Sequence, residues 1–177
     1  MKKCILTLLI CFSGSVSRAQ PEFFHGAGVG FLMAFDNSVG ASGWATMYYP
    51  KFNFPMSKAT SISAGIPLML AFDFNSRSGG SFLFDLPLAI EFNMGYGSTD
   101  KAYRKVVGFF IGTGLAFTSI AASGISANYL NINLYTGLRM EIREKPLALR
   151  VNYGKGLGDY SEINKIGITV NYLLSYM

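Results

Sequence analysis

The chain has 177 residues, of which 14% are charged, 50% hydrophobic and 15% aromatic, with 20 glycines. Soluble domains carry about 25% charge, so composition argues against an ordinary water-facing surface, and the length suits one domain. The formal net charge is +5, but Lys2, Lys3 and Arg18 fall in a separate leader, which leaves 12 basic against 10 acidic side chains; nucleic-acid binding then has no electrostatic support.

The leader comes first in chain order. A basic "MKK" precedes the apolar run "CILTLLICF", and "SVSRAQ" places small Ser17 and Ala19 where a signal peptidase requires them. Residues 1–19 read as a secretory signal peptide cut after Ala19. The run is shorter than the ~20 apolar residues of a membrane span. Cys4 and Cys11 belong to this leader, so no disulfide, thiol nucleophile or Cys-bound metal is expected beyond it. Ile10 stands before Cys11 where a lipoprotein signal has a small residue, which argues against lipidation.

Eight segments with a period of two follow. They are Ala27–Phe35, Trp44–Phe54, Ile62–Phe74, Phe82–Tyr96, Val107–Phe117, Leu130–Ile142, Leu147–Tyr153 and Ile166–Tyr176. The fourth is the clearest: Phe82, Phe84, Leu86, Leu88, Ile90, Phe92, Met94 and Tyr96 alternate with Asp85, Pro87, Ala89, Glu91 and other small or polar residues. A period of two is the mark of a strand. Turn-forming stretches such as "NSRSGG", "GSTDKAYR" and "GKGLGDYSE" separate the segments. Eight hairpin-linked strands predict an all-β, closed, eight-stranded antiparallel up-and-down barrel over residues 20–177.

The two faces decide the solvent. The bulky face is Phe, Leu, Ile and Tyr throughout; the other is Gly, Ala, Ser and Asn with scattered charges. The second makes a poor aqueous exterior and a good crowded lumen, so lipid is expected outside. Trp44, Tyr48, Tyr96, Tyr129, Tyr153 and Tyr172 lie near strand ends, as an interfacial girdle would. The alternative is a soluble, lipocalin-like barrel with its bulky face inward around an apolar ligand.

On these features the chain resembles the small eight-stranded outer-membrane barrels of the OmpX-like and OmpA-membrane-domain type, and the leader ending "RAQ" resembles those of Bacteroidota envelope proteins. The resemblance implies a transmembrane barrel in the outer membrane, surrounded by lipid and inserted by the barrel-assembly machinery, with both termini periplasmic. Extracellular loops would lie near residues 37–42, 75–80, 119–127 and 154–163, all short for surface adhesion. Met177 departs from the terminal Phe usual in such barrels.

The residues suggest no catalytic, cofactor or metal site. His25 is the sole histidine and falls at the periplasmic rim, away from the outer leaflet where a lipid-modifying enzyme would work. "GAGVG" and "GTG" lie inside strands rather than before a helix and read as room for inward side chains from across the barrel. The inward charges are the informative set. Asp36, Asp73, Asp85 and Lys165 are expected in the upper half of the lumen. Lys51, Glu91, Arg139, Glu141, Arg143 and Arg150 are expected in the lower half or at its rim. Buried charges must pair, so an internal ion-pair network is expected, with Asp85 meeting Lys165 and Glu91 among the arginines. The lower cationic surplus offers a second reading, an anionic ligand or lipid headgroup. Pro67 and Pro87 face inward opposite each other if the hairpin turns about Arg77, with Pro50 on the neighbouring strand. Lost ladder donors read first as a bulged or kinked wall; the sharper reading is a weakened patch that makes Phe52, Leu68 and Leu86 a candidate docking face for a protein partner in the membrane. With no open pore and short loops, the expectation is a non-catalytic accessory subunit of a larger envelope assembly. The alternative is a lipid-modifying enzyme.

Overall fold

Alternating small and large side chains with few charges favour extended chain, and every extended chain must pair its backbone N–H and C=O groups. Closing the sheet on itself satisfies both edges at once. A computed structural model describes residues 20–36, 40–73, 80–102, 106–122, 125–143 and 145–174. The expected leader and its cysteines, the turn at Arg77 and Met177 lie outside the described residues.

The strands are β1 (Glu22–Phe35), β2 (Gly40–Ser57), β3 (Thr60–Gly65), β4 (Leu68–Asp73), β5 (Ser81–Gly95), β6 (Val107–Ala122), β7 (Ile125–Ile142), β8 (Lys145–Gly156) and β9 (Asn164–Leu173). All neighbours run antiparallel, and β1 pairs with both β2 and β9, which closes the ring. β3 and β4 together form one stave between β2 and β5. The fold is therefore the closed, eight-stranded, up-and-down transmembrane barrel. The end where β1 starts and β9 finishes is called proximal below, and the other distal.

The interrupted stave has a chemical cause. Its two halves hold one register against β5, with Gly65 beside Ala89 and Met69 beside Asp85, so Pro67 falls across from Pro87. On the other side, the pairs Lys51–Gly65 and Tyr48–Leu68 set Ile66 beside Pro50. Proline has no N–H to give the ladder. The chain bridges the gap locally: the Ile66 N–H donates to the Pro50 carbonyl at 3.0 Å, and the Leu68 N–H to the Ile66 carbonyl at 2.9 Å.

Parity sorts the side chains. Along β5, Leu86, Leu88 and Ile90 are 43, 63 and 60% exposed, while Asp85, Ala89 and Glu91 are fully buried. Leu134, Ile111 and Val29 continue the apolar exterior around the ring. So much contiguous apolar surface suits lipid and not water. Of the expected girdle, Trp44, Tyr48, Tyr153 and Tyr172 are exposed, but Tyr96 and Tyr129 are buried. Tyr96 lies just past the end of β5, where the chain folds over the proximal mouth, and Tyr129 turns into the distal lumen. The expected loop at 119–127 is mostly strand, since β6 runs to Ala122 and β7 begins at Ile125. Ladder bonds need no apolar side chains, so the strands outlast the apolar alternation.

Lipid outside and a tight lumen inside set different tolerances on adjacent residues. Leu88→Arg places a charge midway along β5, where Arg costs about 2–4 kcal/mol at a bilayer midplane, and heat-modifiable assembly should fall sharply. Ala89→Ser, inward between Gly65 and Gly114, should assemble normally in the same gel assay. The opposite ranking would invert the faces.

Candidate functional site

The lumen is layered. The distal layer is apolar: Leu32, Ala34, Ala41, Met69, Leu83, Ile120 and Tyr129 belong to one buried cluster. At that end Tyr129 stacks on Tyr160 of a short 3-10 turn, Gly158–Tyr160, with ring centroids 5.6 Å apart. A short step towards the proximal end, the Lys165 ammonium bonds the Asp85 carboxylate. Asp85 also accepts from the Thr118 hydroxyl. Lys165 Nζ donates further to Asn131 Oδ1 at 3.1 Å and Thr118 Oγ1 at 3.2 Å. Asp85, though in the upper half of the lumen, is as fully buried as Glu91. The apolar cluster above it keeps water away.

The third layer carries the surplus. Arg150 Nη2 bonds Glu91 Oε1, and Arg139 Nη2 lies 3.7 Å from Glu91 Oε2. Arg139 also donates to Asn93 Oδ1, and to the Gly97 carbonyl at 3.0 Å. Lys51 Nζ reaches Asn93 Oδ1 at 3.5 Å. Rings cover the guanidiniums: Arg150 Cζ lies 4.4 Å from the Tyr49 centroid and 4.7 Å from that of Phe110, and Arg139 Cζ lies 4.7 Å from that of Phe110. Such contacts offset part of the desolvation of a cation. Three cations and one carboxylate thus share a layer in which every member is at most 4% exposed.

The register explains how such bulk fits. Lys51 sits beside Gly65, Glu91 beside Gly112, Arg139 beside Gly108, Arg150 beside Gly137, and Lys165 beside Gly154. A Cβ at Gly112 would come within 2.7 Å of Glu91 Cγ, and one at Gly137 within 2.5 Å of Phe110 Cζ. The strand glycines make room for side chains on the adjacent strand, not for ones reaching from across the barrel.

Three expected members of the network stand apart from it. Glu141 and Arg143 are exposed, Glu141 at the proximal end of β7 and Arg143 in the turn to β8. There Arg143 adopts a positive φ of 50°, a conformation rare for a side-chain-bearing residue. Asp73 is half-buried at the distal end of β4, beside Ser81. The candidate docking residues Phe52 and Leu86 are 51 and 43% exposed on the outer wall, with Leu68 half-buried between them. His25 lies on the outer face of β1, its ring stacked on Phe23 at 5.7 Å and set edge-on to Tyr48 at 6.0 Å.

The sequence reading missed the proximal closure. The connection after β5 enters the mouth, with Gly95 and Gly97 at positive φ as only glycine readily allows. The Ser98 carbonyl accepts from Asn53 Nδ2 at 3.0 Å and from Ser61 Oγ at 2.6 Å. Thr99 Oγ1 donates to the Lys58 carbonyl at 2.8 Å. Ser98, Thr99 and Ala102 are buried. The glycine pair in "GYGST" was its only trace in the sequence.

Comparison with known proteins agrees with this geometry at the level of fold. No protein-family model matches the chain, and no curated protein matches its sequence. Among solved structures, the Neisserial surface protein A (NspA) is 10% identical over 89% of this chain and 99% of its own, with a TM-score of 0.61. Ail, the attachment invasion locus protein of Yersinia pestis, in complex with the heparin analogue sucrose octasulfate, is 7% identical over 88% and 99%, with a TM-score of 0.56. The chain shares its architecture with these small eight-stranded barrels of the outer-membrane type. A shared fold does not assign an activity.

The layered charges carry a ranking of stabilities. Glu91→Gln leaves three buried cations facing no carboxylate, whereas Asp85→Asn leaves one, Lys165, that keeps Thr118 and Asn131 as acceptors. Breaking a buried pair from one side costs about 3–5 kcal/mol. Barrel melting in detergent should therefore fall further for Glu91→Gln than for Asp85→Asn. Arg150→Met in the Glu91→Gln background should recover part of the loss. Strict additivity in this cycle would show that the two side chains are not coupled.

Proposed function

We propose that the chain is an integral outer-membrane barrel that performs no catalysis and serves as a structural or accessory subunit of a larger envelope assembly. Residues 1–19 act as its export signal. The proximal end faces the periplasm, outer-membrane lipid surrounds the wall, and the barrel-assembly machinery inserts it.

One observation carries the accessory role: the break in the wall at Ile66–Pro67. Pro67, between β3 and β4, falls across from Pro87 of β5, and neither ring can give the ladder an N–H. Exposed Phe52, Ile66, Leu86 and Leu88 surround the break with large apolar side chains. Regular staves line the opposite wall. A partner barrel packed on this patch covers the weakened seam and gains apolar contact. The filled lumen argues against a conduction role, since eight strands leave space only for side chains. The placement of His25 among Phe23 and Tyr48 on the outer proximal face supports a packing role for the one imidazole.

Photocrosslinking amino acids at Phe52, Leu68 and Leu86 should capture a protein partner in native membranes. The same groups at Leu134 and Val151, on the far wall, should capture mainly lipid. Lipid adducts alone at all five positions, with a lone monomer in mild detergent, would overturn the accessory role.

A further inference from the structure

The third layer of the lumen holds more positive charge than its one carboxylate neutralises, and the excess borders a cavity. Tyr49, Lys51, Phe110, Arg139, Arg150 and Asn171 are among its lining residues, and Glu91 is not. The volume open to the centre of a water-sized sphere is about 20 Å³, room for one water or one monatomic ion. We propose that this cavity is a binding site for a single halide-sized anion, chloride in its natural setting, held between Lys51 and Arg150.

Three observations converge on it. The first is charge. Lys51, Arg139 and Arg150 are each at most 4% exposed, and among the described residues Glu91 is the one carboxylate paired in their layer, with Arg139 and Arg150. A buried charge without a counter-charge is costly, and one bound anion halves the excess. The second is donor inventory. Arg150 Nη1 is buried with no hydrogen-bond acceptor among the described residues, and so is the Tyr49 hydroxyl. Among the described residues Lys51 Nζ makes one long hydrogen bond, to Asn93 Oδ1 at 3.5 Å. Ammonium, guanidinium and phenol all donate and outnumber the one unpartnered amide oxygen of the lining, Asn171 Oδ1, so the complement is an anion and not a metal. The third is size. A lipid headgroup or an organic anion exceeds a space that takes the centre of a water-sized sphere over only about 20 Å³, so the choice falls on a small inorganic anion.

The binding equilibrium makes the idea measurable, because a ligand of the folded state raises its stability with concentration. The full barrel, purified in detergent, is melted in sodium chloride, sodium bromide and sodium gluconate at matched ionic strength. Chloride and bromide should raise the melting temperature by a few degrees along a saturating curve, and gluconate, too large for the cavity, should not. Lys51→Met should abolish that halide increment. The variant should still melt no lower in gluconate than the parent does, since it removes surplus buried charge. Should Lys51→Met fail to assemble, Tyr49→Phe provides the milder variant, with a weakened halide midpoint expected. Crystals soaked in bromide should show an anomalous peak within hydrogen-bonding distance of Lys51 Nζ and Arg150 Nη1. Equal melting in chloride and gluconate would overturn the proposal. So would a halide increment that survives Lys51→Met, or a bromide peak only elsewhere.

Discussion

A guanidinium can be buried in so narrow a barrel only if a carboxylate meets it and an adjacent strand leaves it room. The Arg150–Glu91 contact satisfies both conditions, and the rest of the lumen is arranged around it. Gly137 beside Arg150 and Gly112 beside Glu91 supply the space. Tyr49 and Phe110 supply ring faces to a cation that has left water behind. Arg139 extends the cluster to the proximal connection through the Gly97 carbonyl. The same layer thus fills the lumen, pairs the charge and holds the closure of one mouth.

Above it the chemistry changes within a few residues. On β5, inward Leu83 belongs to the apolar distal cluster while Asp85 is ion-paired. The apolar layer withholds water from Asp85 and makes its bond with Lys165 a fully buried one. Thr118 and Asn131 complete the set of partners around that pair. The barrel interior is therefore closer to a stack of dissimilar discs than to a uniform polar core.

Much of this was legible from periodicity. A period of two places Asp85 and Glu91 on one face of β5 and Leu88 on the other, and strand direction sets their heights. What parity does not carry is where a strand stops or what faces a residue across the ring. Ser126 and Asn128 extend β7 without apolar alternation, because the ladder is made of backbone. Glu141 and Arg143 share the inward parity of Arg139 but lie at the end of β7 and just past it, where they are exposed. Tyr96 and Tyr129 look like interfacial aromatics by position, yet both are buried, Tyr129 within the distal cluster. Inward Leu32, Met69 and Leu83 break the small-and-polar pattern of the inner face and were the available sign of the apolar layer.

The pairing of each large inward charge with a glycine on the next strand bears on how such a sequence drifts. Volume, not identity, is what the lumen conserves at each pair. Enlarging the glycine alone clashes, and shrinking the charged residue alone strips its partner and opens a void. Exchange of both members together keeps the total. Change inside the barrel therefore proceeds by linked steps across strand pairs, whereas the lipid face accepts one apolar residue for another singly. Two barrels of this kind can share every stave and almost no residue, because the lumen is rewritten in pairs and the exterior in single letters.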